Sequence, residues 1–199
     1  MADKILHLAT RNEHKVLELQ EMLQGRGWIV RSAADLGDEA VWVEDGTTFA
    51  VNALIKARAL HRLTSGPVLA DDSGLEVKWL DGAPGVRSAR YAGRDGDDPA
   101  NNALLRKNMA GAGPGDREAR FVCCLAWIDD AGRESVYHGY CPGEILPGER
   151  GSGGFGYDPL FLVTQLNKSM AELSPEEKNA ISHRRRAFDQ WLQDISDKS

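Results

Sequence analysis

Two adjacent carboxylates, Asp71 and Asp72, end the apolar run Pro67-Val68-Leu69-Ala70 and lead into Ser73-Gly74. A charge beside a hydrophobic core is costly unless something offsets it, so the pair points to chemistry. Magnesium takes hard oxygen ligands and often binds through one or two carboxylates plus substrate phosphates. A carboxylate placed there can also accept a proton from an attacking water. The competing explanation is a turn in which Asp and Ser side chains bond the local backbone. The other pair that ends an apolar run, Asp129-Asp130, falls with Ala131-Gly132 in the connection between two strands, and the functional role is favoured for Asp71-Asp72.

Three other segments carry residue types suited to a phosphorylated ligand. Ala9-Thr10-Arg11-Asn12-Glu13-His14-Lys15 joins a short strand to a helix start, whose amides suit an anion. Thr10 and Asn12 supply hydrogen-bond donors, and Lys15 in the first helical turn can reach a phosphate. An ordinary N-cap with surface charges is the alternative. In Ser152-Gly153-Gly154-Phe155-Gly156-Tyr157-Asp158-Pro159 the glycines permit close backbone approach, and Phe155 offers a face to a base. A mobile glycine loop with a core aromatic accounts for that segment equally well. In Lys178-Asn179-Ala180-Ile181-Ser182-His183-Arg184-Arg185-Arg186, a single helix places Lys178 and Ser182 on one side. His183 and Arg184 are donors able to meet the keto oxygens of a purine. For Arg185 and Arg186, complementarity to a helix dipole is explanation enough.

Composition narrows the classes. With 199 residues the chain can build one substantial core, or two lobes, but hardly two independent domains. Its 42% hydrophobic and 27% charged content is ordinary for a globular enzyme. A net charge of −6 argues against a general nucleic-acid binder, yet leaves room for a local pocket of Arg11, Lys15, Lys56, Lys178 and Arg184 around one polyphosphate. No apolar run reaches bilayer length, so no membrane partner is expected, and the start Met1-Ala2-Asp3-Lys4-Ile5-Leu6 lacks a signal segment. A cytoplasmic location is the resulting expectation. The three cysteines, Cys123, Cys124 and Cys141, have neither paired nor zinc-binding spacing and are expected to be reduced structural thiols.

The elements that must position these residues follow from periodicity and breakers. Strands are expected over 5–9, 28–30, 67–70, 75–80, 119–128, 135–140 and 160–163, with residues 41–43 extended. Helices are expected from Glu13 to Leu23, with Val16, Leu19, Gln20 and Leu23 on one stripe, and from Thr47 or Thr48 through Leu60. Another spans Asp98–Met109, and the last opens with the capping box Ser174-Pro175-Glu176-Glu177. Gly111 to Gly115 is expected to be a flexible connector. Alternation first and strands afterwards give an α/β or α+β class with a mixed sheet.

Taken together and in order, several motifs resemble the inosine/xanthosine triphosphate pyrophosphatase family across nearly the whole chain. They are Ala9-Thr10-x-Asn12-x-x-Lys15, Asp45-Gly46-x-Thr48-Phe49-x-x-Asn52-Ala53-x-x-Lys56-Ala57, Ala70-Asp71-Asp72-Ser73-Gly74-Leu75, Gly82-Ala83-Pro84-Gly85, Ser88-Ala89-Arg90-Tyr91, Gly153 to Pro159, and Ser182-His183-Arg184. The resemblance implies an elongated, mixed α/β single domain of residues 1–199, with a long central mixed sheet, flanking helices and two lobes around a cleft, usually in a homodimer. It implies Mg2+-dependent hydrolysis of ITP, dITP or XTP to monophosphate and pyrophosphate, cleansing the nucleotide pool. By position, Thr10, Arg11, Asn12, Glu13, His14 and Lys15 would bind the triphosphate, and Lys56 would help hold the leaving group. Asp72 would be the catalytic base and metal ligand, with Ser73 contacting substrate. Phe155, Gly156, Tyr157 and Asp158 would hold the base and sugar side, and Lys178, His183 and Arg184 would complete the base pocket.

One position departs from the pattern. The family usually has Glu immediately before Asn-Ala, where this chain has Val51. Valine cannot ligate magnesium, so the metal must rely on Asp71, Asp72, Glu44, phosphates and water. The alternatives are a catalytically impaired nucleotide-binding protein and a pyrophosphatase for another nucleotide.

Overall fold

The computed structural model describes residues 4–197; Met1-Ala2-Asp3, on which the expected absence of a leader partly rests, lie outside them. The chain divides into two compact units: Met1–Asp72 with Cys124–His138 and Ala187–Ser199, and Ser73–Cys123 with Gly139–Arg186. Among the described residues, seven strands are ordered β2-β1-β3-β4-β5-β6-β7. They span Lys4–Leu8 (β1), Trp28–Ser32 (β2), Val68–Val77 (β3), Glu118–Ile128 (β4), Glu134–Ile145 (β5), Phe161–Val163 (β6) and Lys168–Ser169 (β7). β1 pairs in parallel with β2 and β3, whereas β5–β6 and β6–β7 are antiparallel. The expected mixed α/β sheet is therefore present. Burial follows strand position: β3 and β4 are nearly continuously buried, as central strands covered on both faces must be, whereas edge strand β2 alternates between half-buried and exposed.

Among the described residues there are five α-helices: α1 (Glu13–Leu23), α2 (Phe49–Thr64), α3 (Asp98–Asn108), α4 (Pro175–Ile181) and α5 (His183–Asp197). Asn12 caps α1 by accepting from the Lys15 amide, and Thr48 caps α2 by accepting from the Val51 amide. Phe49, Ala53, Ala57 and Leu60 of α2 are buried at the expected spacing. On α1 the expected Leu19 and Leu23 are buried and Val16 is half-buried, while Gln20 is exposed and Met22 is buried in its stead.

Four expectations are corrected. Asp71 to Gly74 do not leave the strand but lie inside β3, and the extended stretch ends at Val77, with Lys78–Leu80 forming a 3-10 turn. β5 continues through Pro142 to Ile145, because pairing with β6 resumes at Glu144 and the missing proline N–H costs the strand only one donor. The connector at 111–115 is tightened by a 3-10 turn at Pro114–Asp116. The last expected helix is two: Ser182 is extended (φ −66, ψ 153), ends α4, and its hydroxyl accepts from the Arg185 amide in α5. Lys178 and Ser182 thus do not share one helix face. All three cysteines are buried free thiols.

In the first unit, Trp191 of α5 is fully buried against Trp28, Trp127 and Phe188, with ring centroids 6.3, 5.3 and 5.1 Å away. Among the described residues its indole Nε1 has no hydrogen-bond partner. Trp191→Ala should lower stability by about 3–5 kcal/mol through lost contacts and a cavity. Trp191→Phe should cost clearly less, because it also removes a buried unsatisfied donor whose burden is about 1–3 kcal/mol. Urea midpoints of the two variants check this; equal losses would contradict it.

Candidate functional site

The charged pair inside β3 is stable there because long side chains from two helices meet it. Lys15 Nζ of α1 lies 2.8 Å from Asp71 Oδ1. Lys56 Nζ of α2 donates to Asp72 Oδ1 at 2.8 Å and lies 3.3 Å from Glu44 Oε1. Asp71, Asp72 and Lys56 are all buried. Burial alone would depress the Lys56 ammonium, but Asp72, Glu44 and Asp71 together hold it above the ordinary lysine value, so it stays charged. Burial pushes the Asp72 carboxyl upward against the opposing pull of Lys56 and Lys15. A carboxylate with its affinity for a proton raised, beside two ammonium groups, is equipped to accept a proton next to bound anionic groups.

The segment before α1 is organised by its own polar atoms. Asn12 N donates to Thr10 Oγ1 at 3.2 Å, and Lys15 N donates to Asn12 Oδ1 at 3.2 Å. The Thr10 hydroxyl proton and the Asn12 amide NH2 are then the donors this turn can offer to an anion. Arg11 is directed elsewhere: its Nη2 donates to the carbonyls of Gly37 and Ala40, at 2.7 and 3.1 Å. Glu13 and His14 are exposed on the first turn of α1.

In the second unit, Asp158 organises the glycine segment. Its Oδ2 accepts from the Phe155 amide at 2.9 Å and from Lys178 Nζ at 2.8 Å, and both Asp158 and Lys178 are buried. The same ammonium sits 4.4 Å from the Phe155 ring centroid. A Cβ on Gly154, which has φ +72, would collide with the Asp158 carboxylate, so glycine is required there. α3 pins the next residue: Gly156 N donates to Asp98 Oδ2 at 2.7 Å, and Asn102 Nδ2 donates to the Gly156 carbonyl at 3.0 Å. Tyr157 is a core residue whose hydroxyl donates to the Ser88 carbonyl at 2.8 Å, and burial pushes its phenol well up. At the α4–α5 junction His183 stacks on Phe121, 5.0 Å between centroids, and buried Arg184 donates through Nη2 to Ser73 Oγ at 3.1 Å.

The sequence matches the Ham1 family over residues 6–194. The chain belongs to the Ham1 family. It is 45% identical over 199 residues to a dITP/XTP pyrophosphatase of Geobacillus kaustophilus, covering 98% of each chain. It is 51% identical over 186 residues to a dITP/XTP pyrophosphatase of Frankia alni, covering 91% of this chain and 92% of that one. Among solved structures it resembles the Ham1 protein of Staphylococcus aureus, with a TM-score of 0.89 and 37% identity over 98% of this chain and 100% of that one.

Within this Ham1-family chain, the sequence-expected residues separate into two sets. Lys15 and Lys56 converge with Asp71 and Asp72 in the first unit, and Phe155, Asp158 and Lys178 converge in the second. Sequence reasoning gave no role to Asn52, Asp98 or Asn102. A signal was present for the last two, since residues four apart on a helix share a face. Val51 is 43% exposed and lies beside Gly46, where an added Cβ would fall 2.8 Å from its Cγ1. Among the described residues, no group of three or more His, Cys, Asp or Glu side chains is arranged to hold a metal ion.

Asp158→Ala leaves the buried Lys178 ammonium and the Phe155 amide without their shared acceptor. Removing one partner of a buried pair costs about 3–5 kcal/mol, so the variant should unfold at markedly lower urea than the wild type. A midpoint close to wild type would show that the pair is not needed to hold the segment.

Proposed function

We propose that this protein is a nucleoside triphosphate pyrophosphatase that hydrolyses dITP, ITP and XTP to the monophosphate and pyrophosphate. One observation carries the proposal: Lys56 bridges Glu44 and Asp72 beside the Lys15–Asp71 pair, an alternation of both charges in which Lys56, Asp71 and Asp72 are buried and Lys15 and Glu44 half-buried. Such a set can exchange its internal partners for a polyphosphate and its counter-cation. Relatives named dITP/XTP pyrophosphatases supply the substrate class.

Magnesium is part of the proposal, and the donor set fits it. Glu44 and Asp72 offer hard carboxylate oxygens, and the Lys56 ammonium lying on both is a stand-in for cationic charge at that point. Asp72 and Glu44 would hold the ion, with the substrate's phosphate oxygens completing its shell. When bound, it neutralises charge that develops on the phosphates.

The chain's own residues do the rest. Thr10, Asn12 and Lys15 bind the triphosphate, and Lys15 and Lys56 neutralise the departing pyrophosphate. Water attacks the α-phosphorus in line; the new P–O bond forms as the bond to the bridging oxygen of the β-phosphate breaks, and Asp72 takes the water proton. Phe155 offers a stacking face, while Lys178, His183 and Arg184 present donors to the base. Hypoxanthine and xanthine carry a keto oxygen where adenine carries an amino group, so a donor there rejects ATP. A site that leaves polar groups unpaired with the wrong base discriminates by about 10⁴-fold or more. A cytoplasmic homodimer belongs to the same proposal, and light scattering on purified protein tests the dimer.

Asp72→Asn should cut pyrophosphate release from ITP by about 10²–10⁴-fold, the usual share of a general base, with an unchanged circular dichroism spectrum. Wild-type turnover in that variant would remove Asp72 from the chemistry, and a panel including ATP and GTP tests the substrate class.

Val51 motivates a second possibility, a nucleotide binder with weakened turnover. Because Val51 is exposed, Val51→Glu introduces no buried unpaired charge, and the variant should remain folded. It should lower the magnesium concentration for half-maximal activity by about tenfold, the scale set by losing or restoring groups around a metal. An unchanged magnesium response in folded protein would mean that the site functions fully without a carboxylate at position 51.

A further inference from the structure

Asn52 is the fully buried polar residue of α2, and both ends of its amide are engaged. Its Oδ1 accepts from the Gly46 backbone N–H at 2.9 Å, and its Nδ2 donates to Asp72 Oδ2 at 3.2 Å. Lys56, one turn later, takes the other oxygen, Asp72 Oδ1, at 2.8 Å. Residues i and i+4 of one helix therefore grip the two oxygens of one carboxylate, which determines its plane as well as its place.

The two grips differ in kind. Lys56 brings a charge, and a cation or a phosphate arriving at Asp72 competes directly with it. The Asn52 amide is neutral, so it orients Asp72 without cancelling the charge that a cation needs. Its other end reaches Gly46, two residues after Glu44, on the segment that precedes α2. A Cβ at Gly46 would lie 2.6 Å from Asn52 Oδ1, so a glycine is what lets this contact form. Asparagine is a poor helix former, and its side chain is used here to tie that segment to β3.

We infer that Asn52 is a positioning residue: its amide sets the orientation of the Asp72 carboxylate and the spacing between Asp72 and the Glu44 segment, and thereby tunes the affinity of this carboxylate pair for a divalent cation. The inference rests on the metal assignment made above for Asp72 and Glu44. Partners that orient metal ligands typically contribute 10–100-fold to metal affinity.

The test is Mn2+ binding to nucleotide-free protein, followed by electron paramagnetic resonance, for wild type, Asn52→Leu and Gly46→Ala. Leucine keeps the branched outline of Asn52, with methyl groups in place of the amide oxygen and nitrogen, and removes both hydrogen bonds. Alanine at 46 disturbs the same amide from its other end and leaves residue 52 intact. Each variant should raise the Mn2+ dissociation constant by about tenfold or more. The KM for ITP at saturating Mg2+ should move far less, which a merely structural role would not produce. If Asn52→Leu fails to fold, Gly46→Ala decides by the same two readouts. An Mn2+ affinity within about twofold of wild type in a folded variant, a spread well below the expected shift, overturns the inference. Wild-type protein that binds no Mn2+ overturns the metal assignment itself and the inference with it; Mn2+-binding wild type with an unaltered variant overturns the inference alone.

Discussion

Two neighbouring carboxylates inside a buried strand are the constraint around which the first unit is arranged. β3 is covered along nearly its whole length, and Asp71 and Asp72 occupy its middle. Charges in such a place are tolerated only with partners of opposite sign and satisfied oxygens. α1 must bring Lys15 to one, and α2 must bring Lys56 and Asn52 to the other. The parallel pairing of β1 with β3 makes this possible, because the turn at Thr10–Asn12 leaves β1 beside the end of Leu69 and starts α1 there. A buried ion pair contributes little net stability compared with apolar packing. Its presence in the centre of a strand is therefore better explained by function than by folding.

The second unit follows a related logic with a single acid at its centre. Asp158 gathers the Phe155 amide and Lys178, and Lys178 in turn lies against the Phe155 ring. Asp98 and Asn102 hold the Gly156 backbone from α3, so a segment rich in glycine is nevertheless pinned at successive residues. The glycines serve close approach more than mobility, most plainly at Gly154. An ordered aromatic face beside an ammonium is a suitable surface for a purine, since stacking needs a ring whose orientation is already settled.

Much of this was legible in the chain itself. The bounds of α1, the Thr48 cap of α2 and the buried spacing of Phe49, Ala53, Ala57 and Leu60 follow from local rules of capping and periodicity. Asp71-Asp72 after an apolar run marked charges that need partners, because a charge beside a core is costly, and Lys15 and Lys56 are those partners. The family resemblance carried by the motifs agrees with the Ham1 match over residues 6–194. These signals are local or linear, and they survive without knowledge of what packs on what.

What the tertiary structure alone decided has one physical cause: the partner that satisfies a residue lies far away in sequence. Asp71–Gly74 separates two extended stretches in the sequence, because charges and a glycine interrupt the apolar pattern, but Lys15 and Lys56 satisfy the carboxylates and the strand continues. Arg11 looked like a phosphate ligand, whereas the carbonyls of Gly37 and Ala40 hold its guanidinium. Ser182 looked helical, yet its hydroxyl caps a second helix that buries Phe188 and Trp191. Asn52 stood in a motif without an assigned role, since that role consists of bonds to Gly46 and to Asp72, twenty residues on. Sequence patterns specify which residues prefer burial and which can do chemistry; only the fold assigns each buried polar atom its partner.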